Sequence, residues 1–460
     1  VSPLHPGVRE AMREAVRNWA AKAEELHLTA LAFDDEFGLR IAVRGAGLTD
    51  YNPHVIAWVK QRFGIDPVVP QPLDPGTVVE LDDPAYRWLD ATRRGGGHFA
   101  SASPILKHHN EDLARVAREV APDLELMQMP GAVSGELDLV MHEFYEYGWG
   151  IPEIAALGEY QRTGAEQHDV PHPQRKPIAP LIGWYQHVPF PDWIGPHVNL
   201  MAKLVAAQGV DAVHFASLPL PWDYHGGRDV RPDTTRFLDF APDDWFAGRD
   251  DLRQAYLQLQ KDLEQHAPLL QTLEPEPMPI GVLYSRTTQM FQIGTRWADQ
   301  RQRLAVNENP WVHSEAWQIA YPALKMAHLP VEVVTEPQIR HGALERYEAL
   351  ILVNAEYLPR DVYEKITAFA ERGGTVLADG SSAIEVPGVQ PLHVDFSVWS
   401  EMIQLGLRRA PMFSSGEMAD IVRTRSQLLA RQFGETIERR WDAESPRLID
   451  LDQRQVVWQL

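Results

Sequence analysis

The sequence predicts an α/β protein built on parallel sheets, and three observations carry that prediction. From residue 1 to about 220, amphipathic helical stretches alternate with short apolar strands, the pattern that a parallel sheet with crossover helices produces. The predicted strands run into polar or aromatic residues at their C-terminal ends. A Pro-rich stretch, "EPEPMP", then precedes a second strand-and-helix series.

The first series contains five strands: 28 to 34 "LTALAFD", 124 to 129 "LELMQM", 137 to 145 "LDLVMHEFY", 178 to 185 "IAPLIGWY" and 211 to 217 "DAVHFAS". Helices fill the gaps at 53 to 63, directly after Asn52-Pro53, and at 110 to 120, 152 to 162 and 195 to 208. The strand ends carry Asp34 to Glu36, Gln128, Glu143 to Glu146, Trp184 to His187 and His214 to Ser217. In a (β/α)8 TIM-type barrel the C-terminal ends of the strands bear the site, so this clustering favours a barrel over an open sheet. Five strands fall three short of closure.

Residues 250 to 273 read as one long helix leaving the first domain, and the Pro-rich stretch after it is a boundary. Strands follow at 280 to 285, 331 to 335, 349 to 354 and 375 to 379, with helices at 312 to 328 and 360 to 371. Gly373-Gly374 reads as a helix C-cap and turn, since no phosphate-binding glycine pattern accompanies it. The predicted domains are therefore 1–249, 250–390 and a C-terminal segment, 391–460, whose fold the pattern does not specify.

A formal net charge of -21 argues against nucleic acid as a partner, because binding a phosphate backbone needs clustered Lys and Arg. No apolar run approaches the length a bilayer requires, so the expectation is a soluble protein with no membrane partner. The chain has no cysteine, which removes thiolate chemistry and disulfides. That composition suits the cytoplasm, slightly favoured here, and an exported cysteine-free enzyme alike. The chain opens on Val1 inside a helix-start pattern, so the expectation is that a longer chain continues upstream.

The stretch "TALAFDDEFGLR" places Asp34, Asp35 and Glu36 at the tip of an apolar strand. They read either as a solvated or capping turn, or as acid/base groups. Partial desolvation beside Phe37 and two neighbouring carboxylates would both raise the Glu36 pKa, which is what a general acid near neutral pH needs. Strand alternation separates Leu139, Met141, Glu143 and Tyr145 from Val140, His142, Phe144 and Glu146. Only one of the two glutamates can face a pocket; Glu143 is preferred, and pairing with a nearby Arg or His is the alternative for either.

Trp149, Trp184, Tyr185, Trp193 and Trp222 fall at or just past strand ends, where aromatic faces could stack on sugar rings or simply pack. His108-His109 and His168 with His172 lack a third ligand in register, so no metal site is expected. Neither a G-x-S-x-G elbow nor an H-E-x-x-H helix occurs.

"LTALAFDDEFG" followed by "DYNPHVIAWVKQRFG" resembles the fourth strand and next helix of clan A glycoside hydrolases, in particular the family 42 β-galactosidases. "LDLVMHEFYEYG" resembles their sixth strand, "VDAVHFASLPLPWDYHGG" their eighth, and residues 279 to 380 their flavodoxin-like trimerisation domain. The resemblance implies a barrel represented by strands four to eight, with strands one to three upstream of Val1. It also implies that Glu36 is the general acid/base.

Two departures stand out. Asp35 occupies the place of an Asn that binds the sugar 2-hydroxyl, and a carboxylate can only accept there. "PIAPLIGWYQHVPF", the seventh strand by this alignment, has no carboxylate where the nucleophile belongs. Glu143 or Glu146 could supply the second carboxylate, Gln186 could mark a lost Glu, or the protein could bind sugar without cleaving it.

The resulting expectation is a β-galactosidase-like glycosidase acting on a glycoside or oligosaccharide. Its catalytic residues would be Glu36 and Glu143, and its substrate-binding residues Asp35, Tyr145, Trp184, Tyr185, His214 and Trp222. It would need no cofactor and would form a homo-oligomer, a trimer, through the flavodoxin-like domain. The alternative is a catalytically silent carbohydrate-binding protein. Amidotransferase-like chemistry would require a cysteine nucleophile.

Overall fold

The computed structural model describes residues 2–33, 51–92, 104–128, 136–140, 143–145, 181–185, 214–218, 250–270, 278–299, 312–327 and 329–394, with isolated positions between 202 and 213 and between 424 and 431. In chain order the first strands are β1 (Ala30–Phe33), β2 (Val78–Val79), β3 (Glu125–Gln128), β4 (Leu139–Val140), β5 (Glu143–Tyr145), β6 (Leu181–Tyr185) and β7 (His214–Leu218). The later ones are β8 (Ile280–Tyr284), β9 (Val331–Thr335), β10 (Ala349–Leu352), β11 (Leu358–Pro359), β12 (Thr375–Ala378) and β13 (Gln390–Pro391).

The N-terminal strands form two parallel sheets, β1-β3-β4 and β5-β6-β7. Both β4 and β5 fall within the single strand predicted over 137 to 145. The Pro6–Ala21 and Pro104–Val120 helices pack on each other and cover the β1-β3-β4 sheet. Val16, Ala20, Leu113, Ala114 and Ala117 meet Phe33 and Leu126 there.

Local chemistry sets the Pro53–Phe63 helix as the sequence predicts. The Asn52 side chain accepts from His54 N at 3.0 Å, Pro53 starts the first turn, and Gly64 at φ +68° ends the helix. The Pro104–Val120 helix starts six residues before its predicted onset, at a proline that fits the first turn.

The sequence pattern did not reveal the Pro84–Thr92 helix. Tyr86, Trp88, Leu89, Ala91 and Thr92 are all buried, which leaves Arg87 and Asp90 as a polar face only one turn long. Asp83 accepts from Tyr86 N at 2.8 Å and caps it.

The C-terminal sheet is parallel throughout, in the order β13-β12-β10-β8-β9. Its strands are almost continuously apolar because both faces are covered. Ile280, Val282, Tyr284, Val331, Val333 and Ile351 join the core under the Val312–Met326 helix. Leu283, Val334, Leu350, Leu352 and Val376 pack on the other side against Val362, Ile366 and Phe369 of the Arg360–Glu371 helix. After that helix Gly373 adopts φ +94°, and a Cβ on Gly374 would lie 2.4 Å from the Phe369 ring, so the pair is the tight turn expected.

Two sets of contacts cross the expected boundary at 249/250. Ala202, with Val210 and Val213 partly buried beside it, joins the core of the C-terminal sheet together with Leu259 of the Asp250–Leu270 helix. Val79, Tyr86 and Leu89 form a separate core with Met290, Phe291 and Tyr357. Among the described residues no helix is long and apolar enough to cross a membrane.

Polar side chains close the C-terminal ends of β8, β9 and β10. Glu336 is buried, and its carboxylate accepts from the Ser285 hydroxyl, from Thr287 N and from the Thr287 hydroxyl, each at 2.9 Å. His313 Nε2 accepts from Ser285 N at 2.9 Å, while Nδ1 donates to Val353 O at 3.0 Å. Asn354, at φ +45°, pairs with Gln292 through its side chain and donates its N–H to Asp379. Burial pushes the His313 pKa down to about 4, a shift that its backbone hydrogen bonds oppose.

Leu89→Ala is expected to cost about 2–5 kcal/mol through the cavity it leaves, read as a lower urea midpoint at unchanged slope. Exposed Leu81→Ala is expected to stay within about 0.5 kcal/mol. His313 supplies a pH test. Its folded pKa lies below its unfolded value of 6.5, so the unfolded chain binds the proton more tightly. The contribution is therefore complete above pH 6.5 and is lost as pH falls toward 4, by up to about 3 kcal/mol. The stability gap between wild type and His313→Gln should narrow over that window in denaturant titrations at stepped pH.

Candidate active site

The site is built from strand register. Glu143, the first residue of β5, pairs with Leu181, and Leu181 pairs with His214, the first residue of β7. Two residues further along, Tyr145, Gly183 and Ala216 form the next row on the same face, followed by Tyr185 beside Leu218. Glu143, Tyr145, Tyr185 and His214 thus occupy alternate rows of one face, because strand parity repeats every second residue.

Trp184 pairs with Ser217 in an intervening row and so belongs to the opposite face. It does not share a face with the other four. Depth also differs from the sequence reading, which placed Glu143 and His214 among the strand-end residues. Their common row lies four residues before Tyr185, about 13 Å at the usual rise of a parallel strand. The hydrophobic pattern cannot supply this offset, because neighbouring strands fix their stagger only by pairing.

Asp35, Glu36 and Trp222 lie outside the described residues, as do Glu146, Trp149, Gln186 and Trp193. Their chain neighbours are described. Phe33 ends β1 buried, paired with Gln128 of β3, so Asp34 to Glu36 follow directly on the C-terminal end of a parallel strand. On the far side of that stretch Tyr51 stacks on Trp88, with ring centroids 5.6 Å apart and planes 24° from parallel. Its hydroxyl donates to Val68 O at 2.7 Å. Tyr51 was not singled out in the sequence, since nothing local links it to Trp88.

Two other polar groups are explained by packing. His108 stacks on Trp58 at 5.2 Å, and burial pulls its pKa down. Burial pulls the Asp112 carboxyl up, but hydrogen bonds from Arg13 and Arg9 outweigh this and hold it below its usual value. Among the described residues no group of three His, Cys, Asp or Glu could hold a metal ion. A surface cavity of about 730 Å³ lies far from these strands in sequence, lined by Tyr347, Glu348, Phe369, Arg372 and Gly374.

No protein-family model matches the sequence, and no curated protein matches it. Solved structures do match. A β-galactosidase from Bacillus circulans sp. alkalophilus is 15% identical, with a TM-score of 0.52 over 86% of this chain and 56% of that one. A β-galactosidase from the Antarctic haloarchaeon Halorubrum lacusprofundi is 17% identical, with a TM-score of 0.50 over 84% of this chain and 58% of that one. A GH42 β-galactosidase from G. stearothermophilus is 15% identical, with a TM-score of 0.47 over 84% of this chain and 57% of that one.

The chain therefore spans just over half the length of each of these structures. At such identities the likeness is one of fold. The protein is a mixed α/β chain with parallel sheets, similar in fold to TIM-barrel glycoside hydrolases, among them the solved β-galactosidases from Bacillus circulans sp. alkalophilus and Halorubrum lacusprofundi.

Proposed function

We propose that this protein is a glycoside hydrolase, β-galactosidase-like in substrate class, that works by carboxylate acid/base catalysis. The observation that carries the reading is the parallel β5-β6-β7 sheet with Glu143, Tyr145, Tyr185 and His214 on one face. Asp34 to Glu36 follow in sequence directly on β1 of the β1-β3-β4 sheet, in a fold similar to solved β-galactosidases.

In this reading Glu36 protonates the leaving glycosidic oxygen and Asp35 accepts a hydrogen bond from a sugar hydroxyl. Glu143 serves as the second carboxylate. Tyr145, Tyr185, His214 and Trp222 line the sugar site, and Trp184 belongs to the layer behind the sheet.

The order β9-β8-β10-β12-β13 runs second, first, third, fourth, fifth in the chain. That order supports a flavodoxin-like reading of residues 250–390; the same proposal takes 1–249 as the barrel portion and a trimer as the assembly.

Glu36→Gln is expected to lower kcat on an aryl β-galactoside by about 100-fold or more, with the smallest loss on the best leaving group. An unchanged rate would remove Glu36 from the role of acid. Glu143→Gln should lower turnover on every leaving group alike, and wild-type rates in that variant would place the second carboxylate elsewhere.

A second reading, a carbohydrate-binding protein without turnover, is favoured by one observation. Residues 178 to 190, "IAPLIGWYQHVPF", which include β6, contain neither Asp nor Glu. Saturable galactoside binding by calorimetry with no product released would select it.

A further inference from the structure

The Pro6–Ala21, Pro53–Phe63 and Pro104–Val120 helices together carry a surface patch that the proposed sugar site does not use. Trp58 is only partly buried, and its ring stacks on His108 with centroids 5.2 Å apart and planes 28° from parallel. Phe63 meets the same Trp58 ring edge-on at 5.5 Å. All three rings are partly open to solvent, so they present an aromatic surface.

One turn along the Pro104–Val120 helix from His108 stands Asp112, whose side chain is 5% exposed. Three guanidinium groups converge on it. Arg13 grips both oxygens, at 2.6 and 2.8 Å, and also reaches Glu10 at 3.5 Å. Arg9 touches Asp112 through one nitrogen at 3.1 Å, and Arg115 does so at 3.6 Å. The Arg9 side chain is 26% exposed and that of Arg115 66%, and among the described residues neither has another acidic partner. Both charges also bear on the His108 ring, so the aromatic surface and the guanidinium pair form one patch.

An ion pair that only fastens two helices needs one guanidinium, and Arg13 supplies it through a bidentate contact. Arg9 and Arg115 add two like charges beside it, an arrangement that an anion bridging them relieves. Each has further N–H donors to offer. An extended polyanion does not fit, because Glu111 and Glu119 lie one turn to either side of Arg115 and repel its next charge. A single carboxylate next to an apolar ring does.

We infer that Trp58, His108, Arg9 and Arg115 form a second, non-catalytic carbohydrate site that takes a sugar bearing one carboxylate, a uronic acid unit. The apolar C–H face of the pyranose packs on the exposed part of the Trp58 and Phe63 surface, and the carboxylate bridges Arg9 and Arg115. The choice of a sugar rests on the glycosidase reading. The anionic group and the flat apolar contact rest on the patch alone.

The test titrates the full chain by calorimetry with methyl galacturonoside, with methyl galactoside as the neutral analogue and sodium sulfate as an anion without a ring. Wild type is expected to bind the galacturonoside about tenfold or more tighter than either control, with the preference shrinking as sodium chloride is raised. Trp58→Ala and Arg115→Glu are each expected to weaken that binding by about tenfold or more and to leave hydrolysis of an aryl β-galactoside unchanged. Because Arg115 is mostly exposed, Arg115→Glu decides the matter even where Trp58→Ala fails to fold.

Equal affinity for the two glycosides, or galacturonoside binding that Arg115→Glu leaves intact, overturns the site. Sulfate binding as tight as that of the galacturonoside overturns it too, since the ring would then contribute nothing. A wild-type protein that hydrolyses aryl galactosides but binds no galacturonoside loses this inference alone. One that hydrolyses no glycoside sinks the glycosidase reading, and the titrations still decide the patch.

Discussion

A parallel sheet buried on both faces needs an apolar layer on each side, and that constraint organises this molecule. In the C-terminal sheet one layer is the Val312–Met326 helix, in which Ala316, Trp317, Ile319, Ala320, Tyr321, Ala323 and Leu324 are all fully buried. A helix that carries a second body behind it loses its polar stripe. Leu259 and Ala202 supply that second body, so the core under the sheet is continuous with residues from the N-terminal part of the chain.

Burying the sheet's C-terminal end creates the opposite problem, because loops there carry polar groups away from water. Each is answered by a partner placed by a different element. Glu336 from the end of β9 is satisfied by Ser285 and Thr287 after β8, and His313 bridges Ser285 to Val353. Removing one partner would leave the other buried and unpaired, which costs more than the bond contributes. The network fixes the relative positions of β8, β9 and β10, and the Pro84–Thr92 helix closes over the same end through Tyr86 and Leu89.

Helices with one exposed face and strands that read as continuous apolar runs were legible in the sequence. The Pro53–Phe63 and Arg360–Glu371 helices and the strands β8, β9, β10 and β12 lie within two residues of where periodicity and capping placed them. The Pro84–Thr92 and Arg286–Asp299 helices did not announce themselves. The first is buried on two sides, and the second mixes Thr and Gln with a glycine in mid-helix. For the site, residue type and strand membership of Glu143, Tyr145, Tyr185 and His214 could be read locally, whereas the rows they share could not.

The sequence by itself determined the α/β alternation, the apolar strands, the caps that start and stop helices, and the acidic run that follows β1, because each depends on residues a few positions apart. Only the tertiary structure decided that Trp184 and Tyr185 lie on opposite faces relative to Glu143, that Tyr51 stacks on Trp88, and that residues 73–92 dock on the C-terminal region. Those facts follow from strand stagger and from contacts between segments up to about 280 residues apart, which no local pattern encodes.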